Sequence, residues 1–77
     1  ESGAESMRTR AATALLSGEL SKSEIAAALG MSGVTGALNR SIRDLLNDEI
    51  IEYSIPDKPN SRLQKYRITA KGKSLLN

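Results

Sequence analysis

The stretch that most constrains this chain is residues 21–47, which carries two helical signals separated by one glycine. Ser21 can cap a helix, and Glu24, three residues on, can complete a capping box. Ile25, Ala28 and Leu29 then fall on one side at helical spacing. Gly30 follows, where a helix end favours a left-handed residue. Ser32 is the next cap candidate. Behind it Val34, Leu38, Ile42, Leu45 and Leu46 recur at helical spacing, which predicts a second, longer helix to about Asn47. A short helix, a turn at glycine and a longer helix form a helix-turn-helix. A plain αα-hairpin has the same periodicity and stays open at this point.

Gly33 and Gly36 fall within that second pattern, where each costs on the order of 1 kcal/mol relative to Ala. Two readings are open. Small residues near a helix N-terminus let a phosphate or groove wall approach the backbone, or the helix starts later, near Thr35, with Gly33 in a loop.

The rest of the chain extends this unit. Ser6 can cap a first helix over residues 7–17, in which Met7, Ala11 and Leu15 form one row with Ala12 and Leu16 beside it. Arg8 and Arg10 point elsewhere and read as solvated, with a backbone phosphate as the alternative. Glu19 and Leu20 make a short extended link, suited to a third edge strand. Residues 50–55 alternate with β-branched character and predict a strand. Two prolines and Asn60 make residues 56–62 a turn, and residues 63–68 return as a second strand. Tyr66 and Ile68 share one face of it, Lys65 and Arg67 the other. Tyr53 and Tyr66 read as core or cross-strand partners, with base stacking as the alternative. Thr69 can cap a last helix, with Leu75 and Leu76 covering the bundle. Three helices, a two-stranded β-wing and a short C-terminal helix make a winged helix-turn-helix, an α+β fold that is mainly α. Its expected core is Leu15, Leu16, Ile25, Leu29, Leu38, Ile42, Leu45, Ile51, Tyr66 and Ile68.

Composition narrows the function. Without Phe or Trp, and with two Tyr, the core must be built from Leu, Ile, Ala, Val and Met. Without Cys or His there is no thiol nucleophile, no disulfide, none of the usual zinc ligand sets and no imidazole base. The acidic residues have no apparent catalytic partner and no Gly-rich phosphate loop is present, so neither enzymatic chemistry nor a cofactor is expected in these residues. No apolar run approaches the roughly 20 residues of a membrane span, and a cytoplasmic setting is expected. At 77 residues there is room for one domain. Residues 1–6 read as a linker or expression remnant and residues 7–77 as the domain, a piece of a larger protein that need not start at Met.

The net charge of +2 is unevenly placed. Residues 1–52 hold five basic and eight acidic side chains, a balance of −3, whereas residues 53–77 hold six basic and one acidic, a balance of +5. A basic C-terminal third suits a surface that meets phosphates; a solvated basic face without a partner is the alternative.

Several runs also resemble a known group: Lys22-Ser-Glu-Ile-Ala, Gly36-Ala-Leu-Asn-Arg, Ile51-Glu-Tyr, Ile55-Pro-Asp-Lys-Pro-Asn-Ser-Arg-Leu-Gln-Lys-Tyr-Arg-Ile-Thr and Lys71-Gly. Together they resemble the C-terminal winged-helix domain of bacterial proteins described as RecG-like ATP-dependent DNA helicase-related proteins or transcriptional regulators. Similar domains end some Fic-family proteins. The resemblance spans residues 21–76 and is most specific in the wing. It implies a DNA-binding or regulatory tail whose ATP-dependent or nucleotidyl-transfer chemistry belongs to another module.

On that reading the longer helix enters the major groove of double-stranded DNA. Thr35, Asn39, Arg40 and Arg43 are the base-side candidates, since Asn suits adenine and Arg suits guanine. Lys58, Arg62, Lys65 and Arg67 on the wing are the backbone or minor-groove candidates. The acidic end formed by Asp44, Asp48 and Glu49 leaves only the first half of that helix to face DNA. The rival is a protein-interaction or dimerisation module, with a second copy or domains of the parent protein as partner. An exposed apolar patch near Leu75 and Leu76 would favour it, and a basic surface running from Arg40 to Arg62 would disfavour it.

Overall fold

The computed structural model describes residues 3–76, with side chains from Met7 onward. Helix α1 spans Gly3–Ala14 and tightens into a 3₁₀ turn, Leu15–Ser17. Helices α2, Lys22–Ala28, and α3, Gly36–Asn47, follow. Strands β1, Ile51–Tyr53, and β2, Tyr66–Ile68, precede helix α4, Ala70–Leu76. This is the winged-helix order.

Helix α2 forms as its sequence demands. Glu24 N–H donates to Ser21 Oγ at 3.2 Å, and Ser21 N–H donates to Glu24 Oε1 at 2.8 Å. The helix ends at Gly30, φ 77°, with Met31 N–H donating to Ala26 O at 2.9 Å and Gly30 N–H to Ala27 O at 3.0 Å. That is a Schellman ending, and glycine takes the left-handed position at no steric cost. Helix α3 ends on the same motif: Ile50 N–H donates to Leu45 O at 2.9 Å and Glu49 N–H to Leu46 O at 3.1 Å. Here the left-handed residue is Glu49, φ 62°, which has a side chain to accommodate.

Three local expectations shift. Helix α1 begins at Gly3, so Ser6 lies within it and does not cap it. Ala4 and Glu5 are residue types that favour helix. Residues 1 and 2 of the expected linker lie outside the described residues. Ser32 does not cap α3; Thr35 does, its Oγ1 accepting from Leu38 N–H at 3.1 Å. The later helix start is therefore the observed one: Gly33 lies in the connecting loop, and Val34 is exposed there. Arg10 is not merely solvated, since its guanidinium donates to the Leu29 carbonyl at 3.0 Å and ties α1 to the end of α2.

The sheet is a two-stranded antiparallel ribbon with Ile51 opposite Ile68, Glu52 opposite Arg67 and Tyr53 opposite Tyr66. Leu20 adds the expected edge as a single bridge: Tyr66 N–H donates to Leu20 O at 2.8 Å and Leu20 N–H to Tyr66 O at 3.1 Å. Both backbone groups of Tyr66 thus face Leu20, which leaves Tyr53–Tyr66 as a non-hydrogen-bonded pair, the geometry that brings side chains closest. Their ring centroids are 5.5 Å apart.

The core contains Ala11, Ala12, Leu15, Ile25, Ala26, Leu38, Ile42, Leu45, Ile51 and Tyr66, with Leu29 and Ile68 partly buried against it. Leu16, expected inside, is 48% exposed. A 3₁₀ turn advances about 120° per residue, and the change of pitch at Leu15 rotates Leu16 outward. Buried alanines let α1 lie close to both α3 and α2. At the far end Leu76 packs on the core, while Leu75 is 62% exposed and lies outside the core cluster.

Candidate nucleic-acid interface

Cations on this surface separate by whether a carboxylate already holds them. On α3, Arg40 and Arg43 are exposed and make no ion pair among the described residues. The same holds for Lys22 at the start of α2 and for Lys58 and Arg62 on the wing loop. By contrast, Lys65 Nζ lies 3.7 Å from Glu24 Oε1. Arg67 Nε donates to Glu52 Oε2 at 2.6 Å, and its Nη1 lies 3.9 Å from Glu19. The strand cations sit on the outer face of the ribbon, as the alternation predicted, but they are engaged there. The Ser21 backbone N–H and then Lys65 hold the Glu24 carboxyl below the ordinary carboxylate range.

The other α3 candidates are also partly committed. Thr35 spends its oxygen on the cap and keeps an O–H to donate. Asn39 is half-buried, and its Oδ1 is enclosed without a hydrogen-bond partner among the described residues. It lines a groove of about 350 Å³ with Lys22, Arg43, Leu46, Tyr53 and Tyr66. A second groove, of about 360 Å³, runs between residues 21–23 and the wing residues 59–62, over Gln64 and Tyr66. Lys22 and Tyr66 belong to both grooves, so the α3 face with Asn39 and Arg43 continues through Lys22 to Arg62. Arg43, Leu46 and Tyr53 also line a groove of about 790 Å³ that includes Lys71.

Sequence reasoning missed two residues here. Lys22 occupies the first position of a helix, which is generic; only its placement against the wing gives it a role. Gln64 left a clearer signal. It is in phase with Tyr66 and Ile68, the inward row of the strand, and a polar residue in an inward row must find partners. It is buried and finds three: Oε1 accepts from Ile55 N–H at 2.8 Å, and Nε2 donates to the carbonyls of Ile55 at 2.6 Å and Lys58 at 2.9 Å.

The Fic-like C-terminal domain, described as the C-terminal domain of filamentation induced by cAMP protein Fic-like, matches residues 9–69. The chain belongs to this family. The match covers the helix-turn-helix, both strands and the whole wing loop. Among solved structures, a Fic family protein from Desulfovibrio desulfuricans G20 is similar to the Fic-like domain at 36% identity and a TM-score of 0.74, over 86% of this chain. The domain spans 20% of that protein. No curated protein matches the chain. These similarities bear out the Fic part of the sequence resemblance and do not reach its helicase-related part.

Proposed function

We propose that this Fic-like C-terminal domain binds duplex DNA and serves as a targeting or regulatory module of a larger protein. Helix α3 would enter the major groove and the wing would lie along backbone or minor groove. The observation that carries the reading is the partition of charge: Lys22, Arg40, Arg43, Lys58 and Arg62 have no carboxylate partner among the described residues, and two adjoining grooves link α3 to the wing tip. Arg40, Arg43, Asn39 and Thr35 are the base-side groups. Lys58 and Arg62 are the first backbone contacts; Lys65 and Arg67 join only by exchanging a carboxylate for a phosphate. The resemblance supports a parent of helicase-related or transcription-regulator type in the cytoplasm, and the family match supports a Fic-type parent. In either case ATP-dependent or nucleotidyl-transfer chemistry lies in a module outside these residues.

Titration of random and selected duplexes at two salt concentrations tests this. Expected is roughly micromolar affinity that falls with salt, because each neutralised phosphate releases counterions. Salt-independent binding, or none at low salt, refutes it. A second reading, association with a protein or a second copy, is favoured by the exposed Leu75 beside a groove of about 220 Å³ lined by Arg8, Ala12, Leu45 and Leu76. Dimerisation in sedimentation that Leu75→Ser abolishes would support it.

A further inference from the structure

The wing loop is a chain of turns closed by one side chain. Lys58 N–H donates to Ile55 O at 3.1 Å, Ser61 N–H to Lys58 O at 3.0 Å and Gln64 N–H to Ser61 O at 3.1 Å. The carboxamide of Gln64 then reaches back across the loop. With Ile55 it makes a two-point pairing, accepting from the N–H and donating to the C=O, as a strand backbone would. Its second N–H goes to the Lys58 carbonyl. The orientation of the amide is fixed by its partners, since one is a donor and two are acceptors. The side chains of Lys58 and Arg62 make no ion pair or hydrogen bond among the described residues, so the path of the loop backbone largely sets where their charges sit.

We infer that Gln64 is the positioning residue of the wing: by pinning Ile55 and Lys58 it holds the loop that carries Lys58 and Arg62, so the wing meets the DNA backbone already folded. The inference rests on the DNA-binding reading. A loop that must be ordered on contact loses affinity to conformational entropy, while the number of phosphates neutralised stays the same.

The experiment uses Gln64→Ala in the 77-residue chain. A second variant, Gln64→Met, keeps the buried volume without the hydrogen bonds in case the alanine variant fails to fold. Amide exchange of Ile55 is expected to accelerate about tenfold or more, with the core amide of Ile42 unchanged. Duplex affinity should fall about tenfold with an unaltered salt slope. The loss should vanish in an Arg62→Ala, Lys58→Ala background and add in full to Arg43→Ala. An unchanged Ile55 amide, or full additivity with the two wing cations, overturns the role of Gln64 while leaving the DNA reading intact. A chain that binds no duplex at all overturns both.

Discussion

Gly72 tests whether α4 is docked as the fold requires. A Cβ at this position would sit 2.8 Å from Ile68 Cγ1 and 3.0 Å from Ile50 Cγ2, and closer still to the Ile50 carbonyl oxygen. That carbonyl cannot easily yield. It accepts from Thr69 N–H at 3.0 Å and lies 3.0 Å from Thr69 Oγ1, whose one proton goes foremost to Glu49 O at 2.6 Å and which in turn caps α4 by accepting from Gly72 N–H at 3.0 Å. Moving Ile50 therefore loosens the cap of the same helix. In Gly72→Ala, helix propensity gains about 1 kcal/mol, and overpacking against fixed backbone costs about 1–3 kcal/mol or somewhat more. The net expectation is destabilisation by up to about 2 kcal/mol, each kcal/mol lowering Tm by roughly 4–8 °C for a domain of this size. Urea denaturation and calorimetry read this directly. Gly36→Ala is the comparator, because apart from its chain neighbours and its own helix backbone no described atom lies within 4 Å of its Cβ position at the start of α3; it should be neutral or stabilising. If Gly72→Ala stabilises as Gly36→Ala does, α4 is not seated on Ile50.

Other expectations follow from the same geometry. Leu38 is fully buried, so Leu38→Ala should cost about 2–5 kcal/mol in chemical denaturation. Glu49→Gly removes a side chain from a left-handed position at a helix C-terminus and should stabilise by about 0.5–1 kcal/mol in the same assay. In pH titration of stability, the contribution of Glu24, whose carboxyl is held low, is present above the unfolded carboxylate pKa and lost as pH falls through the folded value. Burial and then Tyr53 push the Tyr66 phenol up, so its contribution is complete below the unfolded tyrosine pKa and lost as pH rises through the higher folded value. Arg62→Ala should weaken all duplexes alike and lower the salt slope by about one contact, whereas Asn39→Ala or Arg43→Ala should shift preference among duplexes by about 1–3 kcal/mol.

The fold was legible where local chemistry and periodicity agree. Ser21 with Glu24, Gly30, and the Leu38–Ile42–Leu45 row need no distant partner to declare themselves, and α2, its turn and α3 appear where expected. Thr69 likewise caps α4. What failed depends on tertiary context. Whether Ser32 or Thr35 caps α3 turns on where the loop from Gly30 delivers the chain. The exposure of Leu16 turns on a change of helical pitch that no periodicity announces. The candidate site was legible in residue type but not in commitment. Asn39 carries the right donor and acceptor for a base edge, yet packing at α3 encloses its oxygen. Gln64 was readable as inward-facing, but its three partners lie up to nine residues away across a loop whose path only the structure gives.

The distribution of charge shows why type and commitment must be separated. By sequence, the basic C-terminal third is the phosphate-facing region, while the acidic remainder holds the base-side candidates Thr35, Asn39, Arg40 and Arg43. In the fold the two regions interlock, because Glu19, Glu24 and Glu52 come from the acidic part and engage Arg67 and Lys65 from the basic part. Each such exposed pair is worth only about 0–1 kcal/mol, too little to prevent a phosphate from replacing a carboxylate, but enough to rank the contacts. Arg40, Arg43 and Lys22 come from the acidic part of the sequence and nevertheless make no ion pair among the described residues, nor do Lys58 and Arg62. On the proposed DNA-binding reading, an approaching duplex would meet these five, like Lys71 and Lys73 on α4, without displacing a carboxylate among the described residues. Lys65 and Arg67 would follow only where the backbone is close enough to compete with the glutamates. On the same DNA-binding reading, the wing tip and α3 would set the encounter, with the strand cations as a reserve whose use depends on how deeply the wing settles.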